Sequence, residues 1–333
     1  MNQNVNFAIF GCGFIANTHA KALIETKSAA LVGCADVVKE NAERFAERYR
    51  IKAYENLDDI LNSPEIDAVC ICTPSGTHAD LAEAALQKNK NVVVEKPMAT
   101  TADGCKRIIS ALEKSSAKLT VISQLRTSED IQKAKEIIES GKLGKLVLCD
   151  LYMKYHRSAE YYKGSWKGTK RMDGGGALMN QGIHGVDLLL YLVGMPVSIK
   201  STVRTLVHDI EVEDTALALL EYECGAVGVI EATTSVTPGN SRRLEIHGTR
   251  GTMVISENTI VSLNIDGIEQ PPTAAPRQVR GVNDPGNLDS REHQKQLCNF
   301  VDSILSGTPL LVDAYSGSRA VQVIEEIYKG DGR

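Results

Sequence analysis

Residues 11–16 read Gly-Cys-Gly-Phe-Ile-Ala, and they join a short β-rich run to a helical pattern. In such a GxGxxA turn, Gly11 permits the tight bend, Gly13 lets the backbone approach a pyrophosphate, and the small Ala16 keeps helix and strand close. The free amides around Phe14 and Ile15 would face the phosphates at the positive end of the helix dipole. Because any tight strand–helix turn can show this pattern, the residues that follow decide the interpretation.

A carboxylate stands where the ribose of a bound dinucleotide would lie. The next predicted strand, residues 30–35, is followed by Asp36, at the spacing of about 20 residues that is typical of such sites. A carboxylate there accepts the ribose hydroxyls and repels a 2′-phosphate, and no arginine follows it closely. The sequence therefore predicts an NAD site, with NADP as the less favoured cofactor.

The first part of the chain alternates two patterns. Short apolar runs that predict strands are separated by helical patterns, and the runs cover residues 4–10, 30–35, 68–72, 91–95 and 119–123. Strands of this kind alternating with helices indicate a parallel sheet covered on both faces. We therefore expect an α/β dinucleotide-binding (Rossmann) domain over residues 1–124.

The rest of the chain predicts a second domain of the α+β class, residues 125–333. In residues 145–156, side chains including Val147 and Tyr155 share one face and more polar ones the other, which describes a strand buried on one side. Further strand patterns cover residues 197–207, 214–222, 226–234, 243–247 and 252–256, and helical patterns cover 292–305 and 315–328. These patterns favour a mostly antiparallel sheet, and the proline-containing stretch 267–289 predicts a long loop.

Composition excludes several other classes of protein. The chain of 333 residues has 37 Lys+Arg, 42 Asp+Glu and only 5% aromatic residues, whereas nucleic-acid binders need basic grooves and stacking rings. No apolar run approaches the roughly 18 residues of a membrane-spanning helix, and residues 1–6 lack the features of a signal peptide. The 8 cysteines are scattered without a CxxC pair, which indicates reduced thiols. We expect a cytoplasmic protein that binds neither nucleic acid nor membranes.

Polar residues follow two of the predicted parallel strands. Residues 73–78 read Thr-Pro-Ser-Gly-Thr-His, and residues 95–97 read Glu-Lys-Pro. Ligands of open parallel sheets lie beyond the carboxyl ends of the strands, so Lys96 is well placed to meet one. The structural alternatives are that Thr77 caps a helix, that Lys96 is an exposed surface lysine, and that Pro97 simply ends the strand.

A polar stripe marks one helical pattern of the second domain. Asn180, His184, Asp187 and Tyr191 follow one another at spacings that place them on one helix face, after a run of three glycines. In an otherwise apolar helix, such a stripe needs a reason, because an unpaired buried polar group costs about 1–3 kcal/mol. Either His184 and Asp187 satisfy each other in a core, or the stripe lines a site. A metal site is disfavoured, since no second histidine is placed to help, and we predict no metal.

These motifs together resemble the glucose–fructose oxidoreductase/inositol dehydrogenase/rhizopine-catabolism (Gfo/Idh/MocA) family. The resemblance covers essentially the whole chain, and its segments are residues 11–16, Asp36, 73–78, 95–97, 174–187 and 306–328. It implies a Rossmann domain followed by a substrate-binding and oligomerisation domain with an open-faced, mostly antiparallel sheet. It also implies that a set of residues surrounds the cofactor, namely Thr73, Pro74, His78, Glu95, Lys96 and Gln124. By the same resemblance Lys96 contacts substrate, Lys96-Pro97 is a candidate cis peptide, and His184 is the catalytic acid/base.

The sequence departs from the family at Asn180, where many members have Asp. An amide can bond a sugar hydroxyl but supplies no negative charge to His184 or Lys96, so Asp187 or the substrate takes that role, or it is not needed. We expect the substrate to contact Lys96, Asn180 and His184, and the further candidates are Arg126, Tyr155, His156, Trp166, Lys167 and Arg171. For Arg126 a surface salt bridge is an equal alternative. The remaining histidines are interpreted as structural (His19, His247) or surface residues (His208, His293).

The favoured hypothesis is an NAD(P)-dependent dehydrogenase that acts on a secondary alcohol of a sugar, inositol or related polyol, which can be modified or nucleotide-linked. Two other hypotheses stay open. One is an enzyme whose tightly bound NAD oxidises a sugar transiently, for elimination or glycoside cleavage. The other is a non-catalytic regulator that binds NAD and sugar. An open apolar sheet face predicts a homodimer or homotetramer, because a bare face of this kind is an association site.

Overall fold

The computed structural model describes residues 4–267 and 290–330. Residues 4–124 and 290–318 form one compact unit, and residues 125–267 and 319–330 form the other. The division between the two units falls after residue 124. A second, C-terminal segment, residues 290–318, also belongs to the first unit.

The first unit is built on a six-stranded parallel sheet in the order β3-β2-β1-β4-β5-β6. Its strands are β1 (Val5–Phe10), β2 (Ala29–Ala35), β3 (Lys52–Ala53), β4 (Ala68–Ile71), β5 (Asn91–Val94) and β6 (Leu119–Val121). Its helices are α1 (Phe14–Glu25), α2 (Lys39–Tyr49), α3 (Leu57–Asn62), α4 (His78–Gln87) and α5 (Ala102–Leu112). The apolar strands β4 and β5 are almost wholly buried, as expected of a sheet covered on both faces, and the predicted α/β class is confirmed.

The returning segment completes the core of the first unit. Helix α9 (Arg291–Ser306) places Leu297 and Phe300 in a buried cluster with Phe7 and Ile9 of β1. The rings of Phe7 and Phe300 have centroids 6.4 Å apart. Burial of such large apolar side chains is worth about 1.5–3 kcal/mol each, which explains why this segment belongs with the first unit.

The second unit contains a seven-stranded sheet in the order β13-β12-β11-β7-β10-β9-β8. Among the described strands of this sheet only β7 and β10 pair in parallel, so the predicted mostly antiparallel sheet is confirmed. The strands are β7 (Leu146–Lys154), β8 (Pro196–Arg204), β9 (Thr215–Tyr222), β10 (Val227–Thr233), β11 (Arg243–Gly248), β12 (Gly251–Ser256) and β13 (Thr259–Ile265). The helices are α6 (Glu129–Glu139), α7 (Ala159–Tyr162) and α8 (Ile183–Val193), and α10 (Ala314–Gly330) begins in the first unit and ends in the second.

The structure bears on four further expectations from the sequence: the burial of β7, the long loop, the cysteines and membrane-spanning helices. The alternation along β7 holds for Cys149, Leu151 and Met153, which are buried, but Val147 on the same face is exposed near the strand start. The predicted loop 267–289 lies outside the described residues beyond residue 267. The 8 cysteines are free thiols, and none of the described helices is long and apolar enough to span a membrane.

Candidate active site

The GxGxxA turn of the first unit has the backbone that its glycines predict. Gly11 lies at a φ of +92°, and a Cβ there would approach the backbone of Cys72 to 2.8 Å. Gly13 is the N-cap of α1 and has open space where a Cβ would be. No side chain caps the helix start, and Phe14 is exposed. The first amides of α1 are therefore not claimed by a capping side chain, as an anion site requires.

Asp36 is fixed beside this turn. Its Oδ2 accepts the Cys12 amide at 2.7 Å, and its Oδ1 accepts the Val38 amide at 2.8 Å. These two bonds hold the carboxylate at the end of β2, where the sequence predicts a ribose contact. The open space at Gly13, the uncapped helix and the oriented carboxylate fit the phosphate and ribose of a dinucleotide.

His78 shapes the loop between β4 and α4. Its ring is buried, with Nδ1 2.7 Å from the carbonyl oxygen of Pro97 and Nε2 2.9 Å from that of Thr73. Burial lowers the pKa of His78, and the two carbonyls partly oppose that shift. Thr73 Oγ1 lies 2.7 Å from Thr77 Oγ1. A neutral imidazole has one N–H and donates to one of these two carbonyls, and the ring lies between the segments that follow β4 and β5.

Glu95 and Gln124, which the resemblance places around the cofactor, are both buried, at 5% and 9% exposed. The Glu95 carboxylate points into the protein, where its Oε1 accepts a hydrogen bond from Nε2 of His19 at 2.7 Å. His293 lies 3.7 Å from the same oxygen and is 1% exposed, so the prediction of a surface histidine is wrong. Lys96 is half-buried, and its peptide bond to Pro97 is cis, as the resemblance implied.

In the second unit, a π-helical turn, Ala177–Gly182, precedes α8. Asn180 lies in this turn and donates from Nδ2 to Oδ1 of buried Asp173 at 2.7 Å, while Oδ2 of Asp173 accepts the Gly168 amide. His184 is half-buried in the first turn of α8. The sequence predicted a regular helix through these positions, and the wider i→i+5 turn offsets Asn180 from that pattern.

The carboxylate of Asp187 pairs with the guanidinium of Arg126, whereas the sequence had allowed a pairing with His184. The guanidinium donates from Nε and Nη2 to the two carboxylate oxygens at 2.9 and 2.5 Å, and both side chains are buried. The ring of Tyr191 lies 5.0 Å from the guanidinium carbon. The surface salt bridge considered for Arg126 is therefore wrong, and its charge is matched inside the protein. The same pairing neutralises the charge that Asp187 could have offered in place of the family's Asp at position 180.

Sequence reasoning missed a polar chain next to Asn180. Arg157 donates to the side-chain oxygen of Gln181, and Gln181 donates to the hydroxyl of Tyr161 at 2.8 Å. The ammonium of Lys167 lies 3.9 Å from the centroid of the Tyr161 ring. A glutamine directly after Asn180 was the only available signal. Of the other candidates, Trp166 is exposed, whereas Tyr155 is buried, which raises its pKa to about 12.

A cavity of about 900 Å³ opens within the second unit. Two of the predicted pocket residues, His156 and Lys167, line it together with Arg157 and His208. The His208 side chain is 6% exposed and its Nε2 bonds the Arg157 carbonyl, so the prediction of a surface histidine fails here too. The volume is within the range of small-molecule sites.

Both parts of the chain match models of one protein family. Residues 5–123 match the model described as "Oxidoreductase family, NAD-binding Rossmann fold", and residues 131–254 match the GFO/IDH/MocA C-terminal domain. The chain belongs to the Gfo/Idh/MocA oxidoreductase family. The family and fold predicted from the sequence are therefore confirmed, as are the NAD cofactor and the dehydrogenase class.

Curated relatives and solved structures extend this family assignment. An inositol 2-dehydrogenase of Rhizobium meliloti is 29% identical over 280 residues, which are 81% of this chain and 82% of the relative. A levoglucosan dehydrogenase of Pseudarthrobacter phenanthrenivorans is 27% identical, over 76% of this chain and 74% of the relative. The WlbA dehydrogenase of Bordetella pertussis, solved with NADH and UDP-GlcNAcA, aligns with a TM-score of 0.88 and 28% identity over 99% of this chain and 97% of its own.

Proposed function

We propose that this Gfo/Idh/MocA protein is an NAD-dependent dehydrogenase that oxidises a secondary alcohol of a sugar, inositol or related polyol. The observation that carries the proposal is the presence of both Lys96, directly after β5 and beside the cis peptide, and His184, in the first turn of α8. The names of the relatives, an inositol and a levoglucosan dehydrogenase, support this substrate class. Because a regulator that only binds ligand needs neither an acid/base nor a cation at these positions, the pair favours an enzyme.

The proposed mechanism divides the work between these two side chains. His184 accepts the proton of the substrate hydroxyl, a step that suits a group whose ordinary pKa is near neutrality. The Lys96 ammonium orients that hydroxyl and stabilises the negative charge that develops on its oxygen. Asn180, fixed by Asp173, is oriented to bond a neighbouring hydroxyl. The GxGxxA turn and Asp36 would hold the NAD⁺, which would supply the acceptor for the hydride of the substrate carbon.

The first test is NADH formation with a panel of alcohols: myo-inositol, scyllo-inositol, levoglucosan and UDP-GlcNAcA. We expect at least one to be oxidised, and Lys96→Met to lower kcat by about 10²-fold because the developing charge loses its partner. Lys88→Met, at an exposed lysine that follows α4, is the matched control. Product formed without NADH accumulation would identify transient redox instead. Full activity of Lys96→Met would contradict the proposed mechanism.

We also propose that the chain forms a homodimer or homotetramer through the outward face of its second sheet. Four exposed apolar side chains lie on the central strands of that face, namely Leu148, Leu217, Leu219 and Val227. Water-exposed apolar patches of this kind mark association surfaces.

Light scattering coupled to gel filtration tests this assembly. We expect an oligomeric mass for the wild type and a monomeric mass for the double variant Leu217→Lys/Leu219→Lys, because burying two charges in an apolar interface is costly. Leu206→Lys, at an exposed leucine outside the strands, controls for added charge and should leave the mass unchanged. A monomeric wild type, or an unchanged mass in the double variant, would contradict the proposal.

A further inference from the structure

Three titratable side chains form a buried cluster in the first unit, which we call the Glu95 cluster: His19 of α1, Glu95 after β5, and His293 of α9. They are 0%, 5% and 1% exposed. Oε1 of Glu95 lies 2.7 Å from Nε2 of His19 and 3.7 Å from Nε2 of His293. The two imidazole rings meet edge to face, with centroids 5.4 Å apart. The cluster therefore joins three elements that are distant in the sequence.

The second carboxylate oxygen connects this cluster to Lys96. Oε2 of Glu95 accepts the backbone N–H of Lys96 at 3.1 Å. Nδ1 of His19 has no hydrogen-bond partner in the described part of the chain, so the bond to Glu95 is the one that orients its ring. The carboxylate thus links α1, whose first turn belongs to the dinucleotide site, to the backbone that carries the proposed catalytic lysine.

The charge state of the cluster agrees with this linking role. Burial alone would raise the pKa of Glu95, but the two histidines outweigh it and hold that pKa well below its usual range. A carboxylate with both oxygens engaged by donors is stable away from water, whereas the loss of one donor leaves part of a buried charge unsatisfied. The geometry of the cluster should therefore be sensitive to each of its donors.

The distance between Nε2 of His19 and Oε1 of Glu95 fits a hydrogen bond better than it fits two ligands of one metal ion. Two ligand atoms at about 2.0–2.1 Å from a tetrahedral zinc ion are roughly 3.3 Å apart. The histidine nitrogen and carboxylate oxygen here are 2.7 Å apart, which is the distance of a charge-assisted hydrogen bond. The contact between His19 and Glu95 is accordingly a hydrogen bond.

We propose that the Glu95 cluster is a positioning device that fixes the backbone of Lys96, so that the ammonium is presented to the substrate in one place. The inference rests on the proposed function of Lys96. Glu95 is then a positioning residue and not a contact of the cofactor, and His19 and His293 act through it. A reacting group misplaced by about 1 Å can lose about 10²-fold in rate, so even a small relaxation of this backbone is measurable.

The test compares His19→Leu and His293→Leu with the conservative His19→Gln and with a stability control, Ile60→Ala. At position 19 leucine keeps the apolar bulk and removes the donor, whereas the glutamine amide can donate from near the position of Nε2. At position 293 leucine removes an imidazole that lies 3.7 Å from Oε1 of Glu95 and makes no hydrogen bond in the described part of the chain. Ile60 is a fully buried residue of α3, and its truncation lowers stability without touching the cluster. We expect the leucine variants to lower kcat roughly 10- to 100-fold. The Michaelis constant for NAD⁺ and the dissociation constant of NADH should change little, and His19→Gln should recover most of kcat.

Two readouts do not depend on turnover. Hydrogen exchange followed by mass spectrometry should show a protected Lys96 amide in the wild type and faster exchange in the leucine variants, with no such change in Ile60→Ala. The rate at which Lys96 is acetylated should differ from the wild-type rate in the leucine variants, and it should equal the wild-type rate in Ile60→Ala. A wild type that binds NADH and oxidises none of the alcohols would refute the proposed function, while these two measurements would still decide the positioning role.

Three results would overturn the inference. Leucine variants that lose thermal stability as Ile60→Ala does, yet keep kcat and Lys96 exchange unchanged, would show a merely structural cluster. Weaker NADH binding with unchanged kcat would mean that the cluster serves the dinucleotide helix. Stoichiometric metal in the purified protein, removed by a chelator together with activity, would mean that the cluster is a metal site.

Discussion

Replacing His184 with alanine is expected to lower kcat for alcohol oxidation by about 10²- to 10⁴-fold, the usual contribution of a positioned general base. The variant removes the proposed acceptor, so the substrate proton must pass to water. NADH affinity should stay near the wild-type value, because the dinucleotide turn and Asp36 lie in the first unit and His184 lies in the second. Steady-state kinetics with the best alcohol of the panel and an NADH fluorescence titration measure the two quantities.

The control for this variant is His247→Ala. His247 is a half-buried histidine of β11 in the same unit, and its Nδ1 lies 3.2 Å from the hydroxyl of Thr252. Its loss should leave kcat unchanged. If His184→Ala turns over at the wild-type rate, His184 is not the base. If both kcat and NADH affinity collapse together with thermal stability, the variant is misfolded, and His184→Gln, which keeps the volume of the side chain, decides the question.

Local sequence patterns were sufficient to predict the features that depend on contiguous residues. The GxGxxA turn depends on Gly11, Gly13 and Ala16, which lie within six residues. The positive φ of Gly11 and the α1 start without a capping side chain both follow from this short segment. The same holds for Asp36, which stands directly after β2. These features depend on steric limits of the backbone and on strand length, both of which a single segment specifies.

Two of the misses involve partners brought together by tertiary structure, and a third is a local variation in helix type. Arg126 and Asp187 are 61 positions apart, and nothing in either local pattern indicates that they pair. His293 lies on an amphipathic helix that periodicity predicted, but the sequence did not indicate that this helix returns to the first unit and buries the ring against Glu95. The π-helical turn at Asn180 was missed because its residues also fit an ordinary helix.

The buried pair of Arg126 and Asp187 suggests that part of the polar stripe is there to hold α8 in place. Arg126 precedes α6, and its guanidinium donates to the middle of α8. Gln132 of α6 donates both to the Arg126 carbonyl and to the hydroxyl of Tyr191. Asp187 and Tyr191 thus connect the helix to its support, and the substrate-binding roles proposed for the stripe fall to Asn180, in the π-helical turn, and His184, in the first turn of α8.

This division of the stripe predicts a large stability effect at Asp187. Asp187→Leu should lower the free energy of unfolding of the second unit by about 3–5 kcal/mol, because it leaves a buried guanidinium without its carboxylate. The chain has a single tryptophan, Trp166, in that unit, so urea unfolding followed by tryptophan fluorescence reports on the second unit. Arg243→Met, in the same unit, breaks a more exposed pair with Glu245 and should change stability little.

The double variant Arg126→Met/Asp187→Leu separates a buried-charge penalty from lost packing. Asp187→Leu alone leaves the Arg126 guanidinium buried without a counter-charge. Replacing both partners by apolar side chains of similar volume removes that charge, so most of the lost stability should return. If the double variant is as unstable as the sum of the two single variants, the ion pair itself is not what couples them. A single variant as stable as the wild type would mean that Asp187 is not needed to anchor α8, and that its carboxylate is free to serve the site, as the sequence alone had left open.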